Sequence, residues 1–194
     1  AGISAISIPS KTCWSVAALD EILDGVHSQM IDIQLEGKSN RTLVTLGIVQ
    51  RWAKEHQISY ADICLHGHLE PSYFMREQTD TSLLEVVEQF SMRGRLFTLS
   101  SEKYHMKGAT DSTELALLIS QLLWVVQESK TQGEEAFQKI CDNILVQIPV
   151  GSNFLTSVVK IRALRILLDM LQVHLGIEKK IPIQTRSSLR MMSK

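Results

Sequence analysis

Arg95-Leu96-Phe97-Thr98-Leu99-Ser100 is a short apolar run, and Ser101-Glu102-Lys103-Tyr104-His105-Met106 follows it directly. The run predicts a β-strand, and the residues after it a loop carrying Tyr104, His105 and Met106. Working back, Ala61 to Leu65 predicts a strand, Gln29 to Leu35 another with Ile31 and Ile33 facing one way, and Ile3 to Ile8 a first strand closed by Pro9. Helices fall between them. Ser15 caps Val16 to Leu23 with Gly25 near its end; Leu43, Leu46, Val49 and Trp52 mark Arg41 to Glu55; Leu83, Leu84, Val87 and Phe90 mark a third. Strand starts near residues 3, 29, 61 and 95 recur about every 30 residues, the period of a βα unit, so a parallel sheet with covering helices follows. There is no sequence repeat behind that period.

Beyond Met106 the rhythm changes. Asp111 with Glu114 three residues on is a capping-box-like start, followed by the apolar Leu115 to Val126, and Gly133 breaks this helix. Phe137, Ile140, Ile144, Leu145 and Ile148 give an amphipathic stripe that predicts a second helix closed by Pro149. Gly151-Ser152-Asn153 opens a third helix reaching about Leu175, with Arg162, Arg165, Asp169 and Gln172 as its polar stripe. Arg165 and Asp169 form an i,i+4 pair worth about 0.3 kcal/mol. The rest of that helix is apolar almost all round, which predicts burial on more than one side. Ile181 to Thr185 is a fifth strand. The chain of 194 residues is short of the ~250 of a (β/α)8 barrel. The expectation is therefore a single α/β domain over 1–194 of the (β/α)8 TIM-barrel type, an incomplete barrel fragment with additional helices.

Composition narrows the function. The formal net charge is −1, so no basic field points to nucleic acid. No apolar run approaches a membrane span of about 20 residues, and Lys11 follows the first apolar segment rather than preceding it, unlike a signal peptide. Cys13, Cys64 and Cys141 are odd in number and far apart with no CxxC spacing, which favours reduced thiols and a cytoplasmic location over a zinc or disulfide framework.

Three segments resemble the methylmalonyl-CoA mutase family. Tyr104-His105-Met106-Lys107-Gly108-Ala109 with Glu114-Leu115-Ala116 is similar to the family's YHMQEAGA…ELA; Gly151-Ser152-Asn153-Phe154 with Lys160-Ile161-Arg162-Ala163-Leu164-Arg165 is similar to GxNF…KxRAxRxLW; Gln184-Thr185 stands where the family has QTS. Order and spacing agree over about 90 residues, whereas the N-terminal half is only loosely similar. The resemblance implies a barrel enclosing an acyl-CoA, with adenosylcobalamin held by a separate domain supplying the radical that interconverts methylmalonyl-CoA and succinyl-CoA. It places His105 on the substrate carbonyl as the one catalytic candidate, with Tyr104, Gln184 and Thr185 as further substrate contacts.

The departures are as informative. The family's RLSFF-like run before GxNF, whose Arg and Ser bind substrate, reads Asn143-Ile144-Leu145-Val146-Gln147 here. The Ser, Gly and Trp after QT are replaced by Arg186, Ser187 and Ser188, and no cobalamin DxHxxG occurs in these residues. Losing a buried cation beside an anionic substrate costs several kcal/mol of binding. The resemblance is therefore closest to the small, non-catalytic subunit of a heterodimeric mutase, which implies a structural role beside a large catalytic subunit. The cofactor would then belong to the assembled isomerase rather than to this chain. The exposed apolar faces of the helices at 111–126 and 154–171 would supply the interface.

Two further readings stand beside this. One is a segment of a catalytically active acyl-CoA mutase. The other is a metal-dependent hydrolase using His66 and His68 with His105, because HxH at a strand end is how such sites begin; the plainer expectation is a loop pair and no metal. Lys160, Arg162 and Arg165 could meet CoA phosphates, but a solvated or inter-subunit stripe is the simpler expectation. Trp14 and Trp124 read as core or interface anchors.

Overall fold

The computed structural model describes residues 5–76, 81–90 and 92–188. The chain divides into two units, Ala1–Phe97 and Thr98–Lys194. Strand Ile3 to Ile8 is β1 (Ala5–Pro9) in the structure, residues 3 and 4 lying outside the described residues.

In the first unit β1, β2 (Asp32–Glu36) and β3 (Leu65–His66) form a parallel sheet in the order β1-β2-β3. Helix α1 (Val16–Leu23) starts where Ser15 accepts a hydrogen bond from the Ala18 N–H, and α2 (Ser39–Glu55) packs against it. These helices follow β1 and β2, so each parallel pair is made through a helical crossover. Ile33, Leu35, Leu46, Val49 and Leu65 are almost wholly buried between sheet and helices. The third strand is shorter and later than the Ala61 to Leu65 expected, because Tyr60–Asp62 is a 3-10 turn. A short helix α3 (Pro71–Arg76) and α4 (Leu83–Gln89) follow, the latter opened by a full capping box of Ser82 and Glu85. The segment from Arg93 runs beside β3, with Leu65 N–H donating to Arg93 C=O and Gly67 N–H to Arg95 C=O. Gly94 makes this approach possible: its φ is +124°, and a Cβ there would lie 2.0 Å from the Leu65 carbonyl oxygen.

The second unit is built on β4 (Phe97–Ser100), β5 (Ile144–Val150) and β6 (Ile183–Ser187), ordered β4-β5-β6. Strands β5 and β6 pair in parallel with Gln147 beside Gln184. The sequence reading had no β5. It extended the helix to Pro149, whereas α7 (Glu134–Asp142) stops at Asn143 and a strand begins one residue later. Ile144-Leu145-Val146 sits at spacings that suit a helix, but β5 is the middle strand and buried on both faces. Alternation, the usual strand signal, is therefore absent. The expected loop after β4 is also a short helix, α5 (Glu102–Met106).

Helices α6 (Asp111–Lys130) and α8 (Phe154–Leu175) complete the unit. Thr110 and Asn153 cap them, and Gly176 ends α8 in the left-handed conformation. On α8 one narrow stripe is buried, Lys160, Leu164, Leu168 and Gln172. This corrects the expectation of burial on several sides: Leu155, Val159, Ile166, Met170 and Val173 are each at least 60% exposed. The expected Arg165–Asp169 pair is replaced by other partners, Arg165 donating to the Ile181 carbonyl at 2.9 Å and Asp169 lying 3.8 Å from Lys180. Trp14 is exposed rather than core, at 77%.

The architecture is thus mixed α/β with two small parallel three-stranded sheets, and no closed barrel is present among the described residues. No helix among them is long and apolar enough to cross a membrane.

Phe137 is fully buried and Val173 is 86% exposed. Phe137→Ala is expected to destabilise the chain by about 3–5 kcal/mol, and Val173→Ser to stay within about 0.5 kcal/mol of wild type. Urea unfolding of the two variants measures both.

Candidate functional site

Polar side chains line the β4-β5-β6 sheet from the middle of β5 to the carboxyl ends of its strands. Ser100 Oγ donates to Gln147 Oε1 at 3.3 Å, and Gln147 Nε2 donates to Gln184 Oε1 at 3.3 Å, so a polar rung crosses all three strands. Gln184, a substrate candidate in the sequence, lies in this rung. Thr185 beside it is exposed, and Tyr104 is half-buried on α5.

His105 holds the centre of the site. Its Nδ1 lies 2.7 Å from Glu114 Oε1 and its Nε2 2.7 Å from Ser188 Oγ. A hydroxyl can donate or accept, so the Ser188 contact suits either role of Nε2, while Nδ1 faces the carboxylate oxygen as a donor. Glu114 is completely buried; its Oε2 also accepts from Ser101 Oγ at 3.2 Å and from Lys160 Nζ at 2.7 Å. Lys160 Nζ reaches Asp111 Oδ1 at 2.9 Å and the Pro149 carbonyl at 3.2 Å. Its three N–H donors thus meet three acceptors, which is what makes a buried ammonium tolerable.

Sequence reasoning placed His105 here but missed Glu114, Lys160 and Ser188. The sequence pattern makes Glu114 part of a capping box and Lys160 part of a solvated stripe; both are instead buried, each heading the core face of its helix. Glu114 is in step with Leu118, Leu122 and Val125, and Lys160 with Leu164 and Leu168. A lone acid and a lone base at the start of two apolar stripes was the available signal. The hydroxyl–imidazole–carboxylate line from Ser188 to Glu114 has the order of a nucleophilic relay. Here Lys160 already compensates the carboxylate that would stabilise an imidazolium, and Ser188 is 6% exposed. The array therefore acts as a strut tying α5, α6, α8 and the end of β6 together. Residues 189–191, the end of the QT segment, lie outside the described residues.

In the first unit, Cys64 directly precedes β3 and His66 lies in it two residues on, while Asp32 of β2 hydrogen-bonds the Cys64 side chain. His66 Nε2 is 3.8 Å from Cys64 Sγ and 4.0 Å from Asp32 Oδ2. Burial pushes the Cys64 thiol up to about 11, with Asp32 adding through its hydrogen bond and charge and Arg93 opposing. Burial likewise lowers the His66 imidazole, with Asp32 opposing and Arg95 adding to the shift. His68 does not belong to this group.

No family model matches this chain. No curated protein matches it at a significant level.

Two predictions follow from the buried ions and thiols. Lys160→Met alone leaves Glu114 uncompensated and is expected to cost about 3–5 kcal/mol, while Lys160→Met with Glu114→Gln costs less than the sum of the singles; a double-mutant cycle by thermal or urea unfolding reads the difference. Cys13 and Cys141 are 2% exposed, and burial lifts Cys141 to about 12. Both are expected to resist a thiol reagent in the native chain and to react once it is unfolded, as counted by absorbance of the released chromophore.

Proposed function

We propose that this chain is the small subunit, or part of one, of an adenosylcobalamin-dependent methylmalonyl-CoA mutase, with a structural rather than a catalytic role. The observation that carries the reading is the state of His105. The resemblance assigns this side chain to the substrate carbonyl, yet both ring nitrogens are bonded to the chain's own Glu114 and Ser188. A thioester could be reached only by breaking one of these bonds in a largely buried site. The motif order supports the family reading, since Tyr104-His105 follows a strand, Gly151-Ser152-Asn153 opens a long helix, and Gln184-Thr185 lies in the last strand of the sheet. On this reading each parallel sheet is a piece of a (β/α)8-type wall, and the location is cytoplasmic.

The partner is a large catalytic subunit that holds acyl-CoA and cobalamin. Leu155, Val159, Ile166, Met170 and Val173 fall within roughly 60° of arc on α8 and offer an apolar face to it. A groove of about 750 Å³ lined by Ile119, Leu167, Met170 and Leu171 adjoins that face. Contiguous exposed apolar surface of this kind marks interfaces.

The expected result is that the chain alone, supplied with adenosylcobalamin, does not convert methylmalonyl-CoA to succinyl-CoA, and that it co-elutes with a large mutase subunit. Ile166→Asp with Met170→Asp is expected to weaken co-elution by about tenfold or more without unfolding the chain. Turnover by the chain alone would favour an active mutase segment, and failure to pair with any large subunit would remove the small-subunit reading.

A further inference from the structure

We propose that Asp32, Cys64 and His66 form a three-ligand site for a divalent transition-metal ion of zinc's class. The site is independent of the mutase reading and lies on the face of the β2-β3 pair opposite the buried Ile33, Leu35 and Leu65. Parallel register fixes this placement. Cys64, just before β3, and His66 are two residues apart in extended chain and share a face; Ile33 pairs with Leu65, and the Asp32 side chain hydrogen-bonds the Cys64 thiol.

The distances suit a tetrahedral ion. One ligand atom from each residue lies within 4.8 Å of the others, with Nε2 to Sγ at 3.8 Å and Nε2 to Oδ2 at 4.0 Å. Bonds of about 2.3 Å to sulfur and 2.0–2.2 Å to nitrogen and oxygen give ligand–ligand edges of roughly 3.3–3.6 Å. Side-chain shifts of well under 1 Å would therefore close the edges at His66 around an ion.

His66 supplies the second, independent observation. Its Nδ1 is buried with no hydrogen-bond partner, and its Nε2 faces only a thiol at 3.8 Å and a carboxylate at 4.0 Å. The observation that bears on the site is at Nε2, which has only a long contact to a thiol and a distant carboxylate, both groups of metal-ligand type, rather than a close oxygen partner. A metal on Nε2 gives that lone pair a partner.

Donor chemistry selects the ion. A thiolate with an imidazole favours zinc or cobalt over magnesium or calcium, and three protein donors leave a fourth position for water. Binding releases the thiol proton, so thiolate and Asp32 carboxylate together offset the dication. Arg93 and Arg95 act on the cluster from the neighbouring segment and moderate its affinity. The ion would clip β2 to a β3 of only two residues.

The test uses the full chain, reduced and stripped with a chelator, then titrated with cobalt(II) alone. The expected result is one equivalent bound, a thiolate-to-cobalt charge-transfer band, intense tetrahedral visible bands, and displacement by zinc. Cys64→Ser is expected to abolish the charge-transfer band, and Asp32→Asn, at an exposed position that does not threaten folding, to weaken cobalt binding by about tenfold or more. His68→Gln is expected to change neither. Absence of the band in the wild-type chain, its survival in Cys64→Ser, or unchanged affinity in Asp32→Asn overturns the site.

Discussion

The second unit depends on one buried ion pair. Glu114 and Lys160 face each other 2.7 Å apart with almost no exposure, on two helices 46 residues apart in the chain. Removing two charges from water is expensive, and their attraction alone repays it poorly. What makes the pair tolerable is saturation: Glu114 also takes His105 and Ser101, and Lys160 also reaches Asp111 and the Pro149 carbonyl. Each added bond ties in another element, so the pair fixes where α5, β5, α6 and α8 meet. An apolar pair of equal volume would hold them together with less directional control.

The same saturation explains the functional reading. A catalytic histidine needs a free valence aimed at its substrate. Both ring nitrogens of His105 are taken by the chain's own side chains, Nδ1 by Glu114 and Nε2 by Ser188. Residues 144–146 form the apolar start of β5. In the first unit His66 differs, since its Nε2 has only long contacts to Cys64 and Asp32.

Much of the fold was legible in the sequence. The roughly 30-residue recurrence of strands 3, 29, 61 and 95 is reflected in β1 to β4, and the β1-β2-β3 pairs are parallel. Caps at Ser15 and Asn153 set helix starts because short polar side chains satisfy otherwise orphaned N–H groups. The reading failed at β5, where a middle strand buried on both faces shows no alternation. The exposure of α8 is likewise illegible in sequence, because apolar residues all round a helix do not show which faces find a partner.

By itself the sequence determined which segments are helix and which are strand wherever periodicity, caps and glycines agree, because those signals act over a few residues. It also placed His105 after a strand and Gln184 within one. Only the tertiary structure decided what these residues touch: that Glu114 and Lys160 turn inward to meet, that Ser188 closes on His105 from 83 residues away, and that Asp32 joins Cys64 and His66. Such contacts depend on strand register and helix rotation, which are set by packing the whole core and leave no mark on any short stretch of chain.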